Sequence, residues 1–393
     1  MSASRPRLRI LYLHADLDIG GSETQLAALA RRLPRDRFAP AFALLWEPGI
    51  HAAAVVADGI PVHRLGLRHP ARDGWLAFAW SAVRALVRYL RLARRSRVDI
   101  VDAWLYQGYW LAALTRPLTR IPVFIAGRRS LSDFKRRWGP IPRALDAIAR
   151  RAPDRIVANA EAVRASVMAV EGVAADRIAV IRNGIVVDGM ARGSRDAIRA
   201  EWGCGPDDIV VGCVAVLNPG KGLEDLVAAT ARVAERHPSV RTVLVGDGPL
   251  RTTLEAHAAR LGIGDRVRFH GRHAEPQALH AGFDVFVHPS LAEGLPNAVL
   301  EAAAGGLAIV ATDVGGTREV VVHERTGLLV PPGSPAALAD AVNALLADPE
   351  RAGHLGQAAR EHAAEWFGMD RFVAETARLY EELAAAAGIT VPG

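Results

Sequence analysis

The sequence predicts an α/β protein with two domains, each built around a parallel sheet. The chain has 393 residues, which is enough for two domains of ordinary size. Half of its residues are hydrophobic, so each domain can bury a substantial core. Short apolar runs alternate with segments of helical periodicity, a pattern typical of parallel strands that are joined by helices.

Six apolar runs predict strands in the first half: Leu8–His14, Ala39–Leu45, Asp99–Ala103, Val123–Ala126, Arg155–Ala158 and Ile178–Ile181. Helices are expected between them at about 22–32, 75–95, 107–118, 142–151 and 160–170. The second half repeats this alternation, with strands at Ile209–Val216, Thr242–Val245, Val267–His270, Val285–His288, Ile309–Ala311 and Gly327–Val330. Its helices are expected near 222–236, 249–261, 275–281, 297–304, 317–322 and 335–347.

Residues 187–194 lack periodicity and are interpreted as a hinge between the two halves. We therefore expect an N-terminal domain at 1–186, a C-terminal domain at 187–369 and a closing segment at 370–393. The helix Arg371–Leu383 of that segment is expected to pack back on the first domain. Two Rossmann-like sheets facing across a cleft would bind ligands at the carboxyl ends of their strands.

Charge is divided unevenly along the chain. Residues 1–185 hold 30 Lys and Arg against 15 Asp and Glu, whereas the remainder holds 18 against 27. The basic half favours an anionic membrane surface or a phosphorylated acceptor as a partner. Nucleic acid is not expected, because no recognised nucleic-acid motif accompanies the charge.

Two cysteines, Cys204 and Cys213, are too few for a disulfide framework, which fits a reducing cytoplasm. No secretory signal and no uncharged apolar stretch of about 18 residues is present, so we expect a cytoplasmic protein that could be peripheral at the inner face of the membrane. The segment Trp75–Arg95 combines aromatic and aliphatic residues with five arginines. It is interpreted either as an amphipathic surface helix or as a core helix with a solvated basic face.

The strongest functional pattern is Glu-Gly-Leu-Pro-Asn-Ala-Val-Leu-Glu at 293–301, which follows an apolar strand and a Pro-Ser turn. Pro296 is expected in the first turn of a helix, which leaves Glu293 in the loop and Glu301 inside the helix. A helix N-terminus favours an anionic ligand, and a carboxylate can accept hydrogen bonds from two sugar hydroxyls. A nucleotide sugar fits both features, with expected contacts from Glu293, Gly294, Leu295, Asn297 and Glu301.

Two glycine turns follow other predicted strands. In Asn-Pro-Gly-Lys-Gly at 218–222, Lys221 stands just before a helix and can place a positive charge on a phosphate. After the first strand, Gly20 and Gly21 allow a ligand to approach the backbone closely, although a plain tight turn is nearly as good an interpretation. Neither turn has the Gly-x-Gly-x-x-Gly pattern of a dinucleotide site.

Taken in order, these motifs resemble the family 4 glycosyltransferases of the GT-B fold. The resemblance covers nearly the whole chain and rests on Gly20-Gly-Ser-Glu23, Pro219-Gly-Lys-Gly222, Gly246-Asp-Gly-Pro249, Phe269-His-Gly271, His288-Pro-Ser290, Glu293 with Glu301, Ala311-Thr-Asp-Val-Gly-Gly316 and Thr326-Gly-Leu-Leu-Val330. It implies a retaining, metal-independent transferase that uses a nucleotide-diphosphate sugar and needs no cofactor.

The same resemblance implies individual roles. It assigns the donor sugar to Glu293, the ribose hydroxyls to Glu301 and the leaving diphosphate to Lys221. The Gly20–Gly21 pair would approach donor and acceptor. Lys221 and Glu293 are therefore the expected catalytic residues.

The chain departs from the family pattern at two positions. Val216 stands where many members carry an arginine five residues before the lysine, and Gln107 stands near the place of an acceptor-side histidine. Arg128 or Arg129 could compensate for the missing arginine, so Gln107, Arg128 and Arg129 are the acceptor-side candidates. The acceptor is expected to be lipid-linked, a polysaccharide or a small molecule. The alternatives are a sugar-nucleotide epimerase of the same fold and a non-catalytic sugar-nucleotide-binding partner protein.

Overall fold

A computed structural model of the chain describes residues 7–187 and 193–390. These residues form two compact units. The first contains the described residues up to Asn183 together with those from Asp370 onward, and the second is Gly184–Met369. Most of the hinge expected at 187–194 lies outside the described residues.

The first unit is built on a parallel seven-stranded sheet of order β3-β2-β1-β4-β5-β6-β7. Its strands are β1 Leu8–His14, β2 Phe38–Leu44, β3 Val62–Arg64, β4 Ile100–Trp104, β5 Val123–Arg128, β6 Arg155–Ala158 and β7 Ile178–Val180. Its helices before Asn183 are α1 Gly21–Arg32, α2 Ala52–Ala57, α3 Pro70–Asp73, α4 Trp75–Arg95, α5 Leu105–Thr119, α6 Pro140–Ala149 and α7 Glu161–Ser166. Short 3₁₀ turns cover Asp133–Arg137 and Ala175–Arg177, and a π-helical turn covers Val167–Glu171.

The second unit repeats the design with a parallel six-stranded sheet of order β10-β9-β8-β11-β12-β13. Its strands are β8 Ile209–Val214, β9 Val240–Val245, β10 Val267–Gly271, β11 Val285–His288, β12 Ala308–Thr312 and β13 Leu328–Val330. Its helices are α8 Arg195–Trp202, α9 Leu223–Arg236, α10 Arg251–Arg260, α11 Asn297–Ala304, α12 Thr317–Val320, α13 Pro335–Ala347 and α14 Pro349–Phe367. The final helix of the chain, α15 Met369–Ala386, continues into the first unit.

Burial on both faces of each sheet explains why the central strands are almost uniformly apolar. All four residues of β11 are buried, and Val285 and Val287 pack in one core with Val211, Cys213 and Leu244 of the neighbouring strands. Strands covered by helices on both sides need continuous apolar runs rather than alternation. The predicted α/β class with two Rossmann-like sheets is confirmed.

Several predicted elements differ from those observed. Strand β3 was not predicted because it is a three-residue edge strand whose side chains are largely exposed. Helix α8 and the short helices α2 and α3 were also missed. The helix expected at 275–281 is a 3₁₀ helix at Pro276–Gly282, and the one expected at 160–170 changes to a π-helical turn after Ser166.

The last helix packs on the first unit, as expected, through a buried polar contact. The Tyr380 hydroxyl of α15 donates a 2.6 Å hydrogen bond to Oδ2 of Asp102 on β4, and Glu381 pairs with Arg37. Asp102 is buried, and burial raises the pKa of its carboxyl although the Tyr380 hydrogen bond lowers it. Tyr380 therefore supplies the hydrogen bond that makes this buried acid tolerable.

Replacing Tyr380 with phenylalanine should lower the free energy of unfolding by about 1–3 kcal/mol, because the buried Asp102 would lose its donor. Tyr12→Phe is the matched control, since its hydroxyl contacts that of Tyr380 only at 3.4 Å and its loss should cost less. Urea titration of both variants measures the difference. Equal losses would show that the Tyr380–Asp102 bond does not hold the helix.

Candidate active site

Two loops of the second unit bring Lys221 and Glu293 together at the centre of the sheet. Lys221 follows β8 and Glu293 follows β11, and these strands are neighbours although the chain forms two other strands, β9 and β10, between them. The Lys221 Nζ atom lies 2.6 Å from Oε1 of Glu293. The sheet order reverses between β8 and β11, and ligands of open parallel sheets bind at such switch points.

A glycine allows these two loops to touch. Gly222 has φ +61°, and a Cβ atom there would lie 2.0 Å from the Pro289 carbonyl oxygen. The Leu291 N–H then donates a 2.9 Å hydrogen bond to the carbonyl of Gly220. The backbone of the Lys221 turn is thus joined to the backbone of the Glu293 loop on both sides of the lysine.

The Glu293 carboxylate is surrounded by donors. Its Oε1 atom accepts hydrogen bonds from Lys221 Nζ at 2.6 Å, Ser290 Oγ at 2.6 Å and His288 Nε2 at 3.0 Å. Burial alone would raise the pKa of Glu293, but His288 and Lys221 together hold that pKa far below its usual range. Glu293 is therefore an anion that is already neutralised by the protein.

Helix α11 begins at Asn297, and Pro296 is its N-cap in an extended conformation. This corrects the expectation that Pro296 lies in the first helical turn. Glu301 lies one turn into the helix and is partly buried, and no hydrogen bond or ion pair involves its carboxylate among the described residues. Burial raises the pKa of Glu301 to about 7. An unpaired, partly buried carboxylate of this kind is suited to accept hydrogen bonds from a ligand.

At the first unit's own switch point, between β1 and β4, the glycine turn is already in contact with a carboxylate. Gly20 caps α1, and a Cβ atom on Gly20 would lie 2.1 Å from Oε2 of Glu23. Burial, with smaller contributions from nearby acids, raises the pKa of Glu23 to about 7. The Nε2 atom of buried His14 lies 3.8 Å from Glu23 Oε1. Glu23 is thus the carboxylate next to the Gly20–Gly21 turn; ligand binding by this turn stays a prediction.

The three acceptor-side candidates differ in their surroundings. Arg128 is buried and forms two hydrogen bonds with Glu171, at 3.1 and 3.2 Å, while its guanidinium lies over the ring of Tyr109. Arg128 is thus paired inside the first unit, and a ligand-binding role for it stays a prediction. Arg129 stacks on Trp104, and burial lowers its pKa to about 10. Gln107 is exposed in the first turn of α5, and roles for Arg129 and Gln107 stay predictions.

Sequence reasoning missed two residues of the Glu293 environment. The sequence analysis names His288 and Ser290 only as parts of a motif and its turn, and it assigns neither a role, yet both donate to Glu293. The available signal was their spacing, because two potential donors stand three and five residues before an acid at the end of a strand.

The described residues contain neither a candidate metal site nor a candidate membrane span. No cluster of three or more His, Cys, Asp or Glu side chains between 7 and 390, outside 188–192, has the arrangement of a metal site. Among the helices of the same residues, none combines the length and the apolarity that crossing a membrane requires. Metal independence stays a prediction.

Two Rossmann-like units of this topology define a protein of the GT-B class. Residues 19–188 match the family model described as Glycosyltransferase Family 4, and residues 194–362 match the one described as Glycosyl transferases group 1. The chain belongs to the family 4 glycosyltransferases, which confirms the resemblance inferred from its motifs.

Curated relatives agree with this membership, and a solved structure agrees with the fold. The chain is 31% identical over 314 residues to D-inositol 3-phosphate glycosyltransferase of Nocardia farcinica, covering 72% of this chain and 68% of that protein. It is 37% identical over 193 residues to a GDP-mannose-dependent α-(1-6)-phosphatidylinositol monomannoside mannosyltransferase of Mycobacterium tuberculosis, covering 47% of this chain and 50% of that protein. Anabaena HepE, crystallised with UDP and glucose, superposes with a TM-score of 0.83 at 24% identity, over 96% of this chain and all of that one.

Substituting alanine for Gly222 should be far more damaging than the same change at Gly220. Both glycines have positive φ, but a Cβ atom at Gly220 meets nothing within 4 Å, whereas one at Gly222 collides with the Pro289 carbonyl. Gly220→Ala should cost about 1–2 kcal/mol of unfolding free energy from backbone strain alone. Gly222→Ala should cost at least about 2 kcal/mol more, measured by urea titration. Similar losses would mean that the two loops can separate easily.

Proposed function

We propose that this protein is a retaining glycosyltransferase that moves a sugar from a nucleotide-diphosphate sugar to an acceptor. The donor binds to the second unit at the carboxyl ends of β8 and β11. The observation that carries the proposal is the pairing of Lys221 with Glu293 at 2.6 Å at the switch point of that sheet. A cation and a carboxylate in this position can serve the two halves of the donor, its diphosphate and its sugar.

The chemical step requires stabilisation of the departing nucleotide diphosphate. In this proposal Lys221 turns from Glu293 to the diphosphate, and the first backbone N–H groups of α11 face the same anion. Each such group can contribute on the order of 2–4 kcal/mol when it acts on charge that develops in the transition state. Glu301 accepts hydrogen bonds from the ribose hydroxyls. The acceptor hydroxyl attacks the anomeric carbon from the face that the diphosphate leaves, so its bond to that carbon forms as the carbon–diphosphate bond breaks, and the departing diphosphate takes the hydroxyl proton.

Known proteins of similar sequence or fold support a nucleotide sugar as the donor, but they differ in its base and its sugar. HepE was crystallised with UDP and glucose, while the mycobacterial relative is named for GDP-mannose. The proposed donor is therefore a UDP- or GDP-sugar. The acceptor is lipid-linked, a polysaccharide or a small molecule, and the names of the inositol phosphate and phosphatidylinositol mannoside relatives favour one that carries a phosphorylated polyol.

A panel of UDP-, GDP- and dTDP-sugars tests the proposal through thermal stabilisation and slow donor hydrolysis. A ligand present at 100 times its Kd should stabilise the protein by about 2.7 kcal/mol. Lys221→Ala and Glu301→Ala should fold normally but lose this stabilisation and all turnover. Glu235→Ala, on the exposed face of α9, is the matched control.

The panel also separates the alternatives. Unchanged turnover in the Lys221 and Glu301 variants would refute the site. An epimerised nucleotide sugar formed without acceptor would identify an epimerase, and binding without turnover would identify a non-catalytic protein.

We further propose that α4 of the first unit docks on an anionic membrane surface. Its exposed face carries apolar side chains that lie opposite the buried residues Ser81, Ala85 and Tyr89, with Trp75 73%, Leu76 90%, Trp80 68% and Val83 55% exposed. The helix contains no acid, and five exposed arginines lie between its middle and its C-terminal end: Arg84, Arg88, Arg91, Arg94 and Arg95. An apolar stripe beside arginines fits the interface between acyl chains and anionic headgroups.

Vesicle binding tests this surface. The protein should bind vesicles containing phosphatidylserine, and binding should fall as salt rises, because arginine attraction is screened. Trp75→Ala with Trp80→Ala should reduce partitioning at least about tenfold, since each tryptophan buries a large apolar area. Trp366→Ala, which alters a tryptophan of the second unit with 41% exposure, is the matched control. Equal binding by both variants, or salt-insensitive binding, would contradict the proposal.

A further inference from the structure

His288 and Ser290 contact the same atom of the candidate catalytic acid. Both donate to Oε1 of Glu293, which also accepts from Lys221, while no hydrogen bond to Oε2 occurs among the described residues. An ionised carboxylate offers about two acceptor positions on each oxygen, so three donors saturate Oε1. The acceptor capacity of Glu293 that remains is therefore on Oε2.

We propose that His288 and Ser290 are positioning residues that hold Glu293 by Oε1 and leave Oε2 as the atom presented to the donor sugar. This inference rests on the proposed transfer from a nucleotide sugar. It assigns to the two side chains a task that Lys221 cannot perform, because Lys221 must leave the carboxylate when it turns to the diphosphate.

The protonation of His288 follows from its partner. A carboxylate only accepts, so the Nε2 atom of His288 must carry the hydrogen that it shares with Glu293. The ring is 3% exposed, which fixes its orientation, and its Nδ1 atom has no hydrogen-bond partner among the described residues. His288 is thus a directed donor to Glu293 rather than a residue held elsewhere by a second polar contact.

The backbone of Ser290 is held by a contact to the neighbouring strand. It is fully buried, and its carbonyl accepts a hydrogen bond from the hydroxyl of Thr312 on β12. The next residue, Leu291, is bonded to the Lys221 turn through Gly220. The backbone of Ser290 is therefore held by two neighbouring segments of the sheet edge, independently of any ligand.

When a donor binds, the three side chains that donate to Glu293 behave differently. Lys221 is the long, flexible member of the three donors and its side chain is 32% exposed, whereas His288 and Ser290 are buried. When Lys221 moves to the diphosphate, two short donors still hold Oε1. Glu293 then keeps the rotamer that directs Oε2 outward, so the sugar is oriented without a new ordering cost at the reacting carbon.

Kinetics of Ser290→Ala, His288→Leu and His288→Gln test the inference. Loss of one hydrogen bond to a charged group should lower kcat about 10- to 100-fold. We therefore expect Ser290→Ala and His288→Leu each to lose kcat to this extent. Affinity for the free nucleotide diphosphate should change less than about threefold, because it depends on Lys221. Glutamine carries an N–H donor near the place of Nε2, so His288→Gln should recover most of the lost kcat.

The control is Ser334→Ala, which removes the hydroxyl that caps α13 in the same unit without touching Glu293. It should lower stability and leave kcat unchanged. If wild type turns over a donor but Ser290→Ala and His288→Leu keep full kcat, or if glutamine rescues nothing, the positioning role is refuted while the proposed function stands. If wild type turns over no donor, the proposed function fails and the inference fails with it.

Discussion

The second unit depends on one constraint, which is that the loops after β8 and β11 must touch. Parallel sheets place the carboxyl ends of neighbouring strands at one edge, and the reversal of strand order at this pair leaves space for a ligand there. The Leu291–Gly220 hydrogen bond and the close approach at Gly222 fix the distance between the loops. Lys221 and Glu293 meet because the backbone brings them together, so their pairing is a property of the fold.

In the first unit, a cluster of buried charged side chains lies at and after the carboxyl end of β5. Arg128, Glu171, Lys135 and Asp146 are all buried and joined by ion pairs of 2.8–3.1 Å. Two cations balance two anions, so the cluster is neutral as a whole. Such clusters add little to stability compared with apolar packing, but an unpaired member would be costly. The network therefore holds in one arrangement the segment after β5, which begins with the acceptor-side candidate Arg129.

The sequence allowed most of the architecture to be predicted, since continuous apolar runs mark strands that helices cover on both faces. Edge elements such as β3 escaped because three exposed residues leave no periodic signal. The motifs also indicated Lys221, Glu293 and Glu301. What they could not indicate was pairing: that Lys221 would bind Glu293, or that Arg128 would be neutralised by Glu171, 43 residues further along the chain. Such contacts depend on distances between segments that are remote in sequence.

The choice of cation at residue 221 has a practical consequence. The chain contains 48 basic residues, and only two of them, Lys135 and Lys221, are lysines. The side chain of Lys135 is buried and its amine lies between Asp146 and Glu171, while the side chain of Lys221 is about one-third exposed. Apart from its α-amine, the protein therefore offers an acylating reagent one accessible primary amine, and that amine belongs to the candidate active site. Mass spectrometry of a labelled peptide would report occupancy of this site without any assay of turnover.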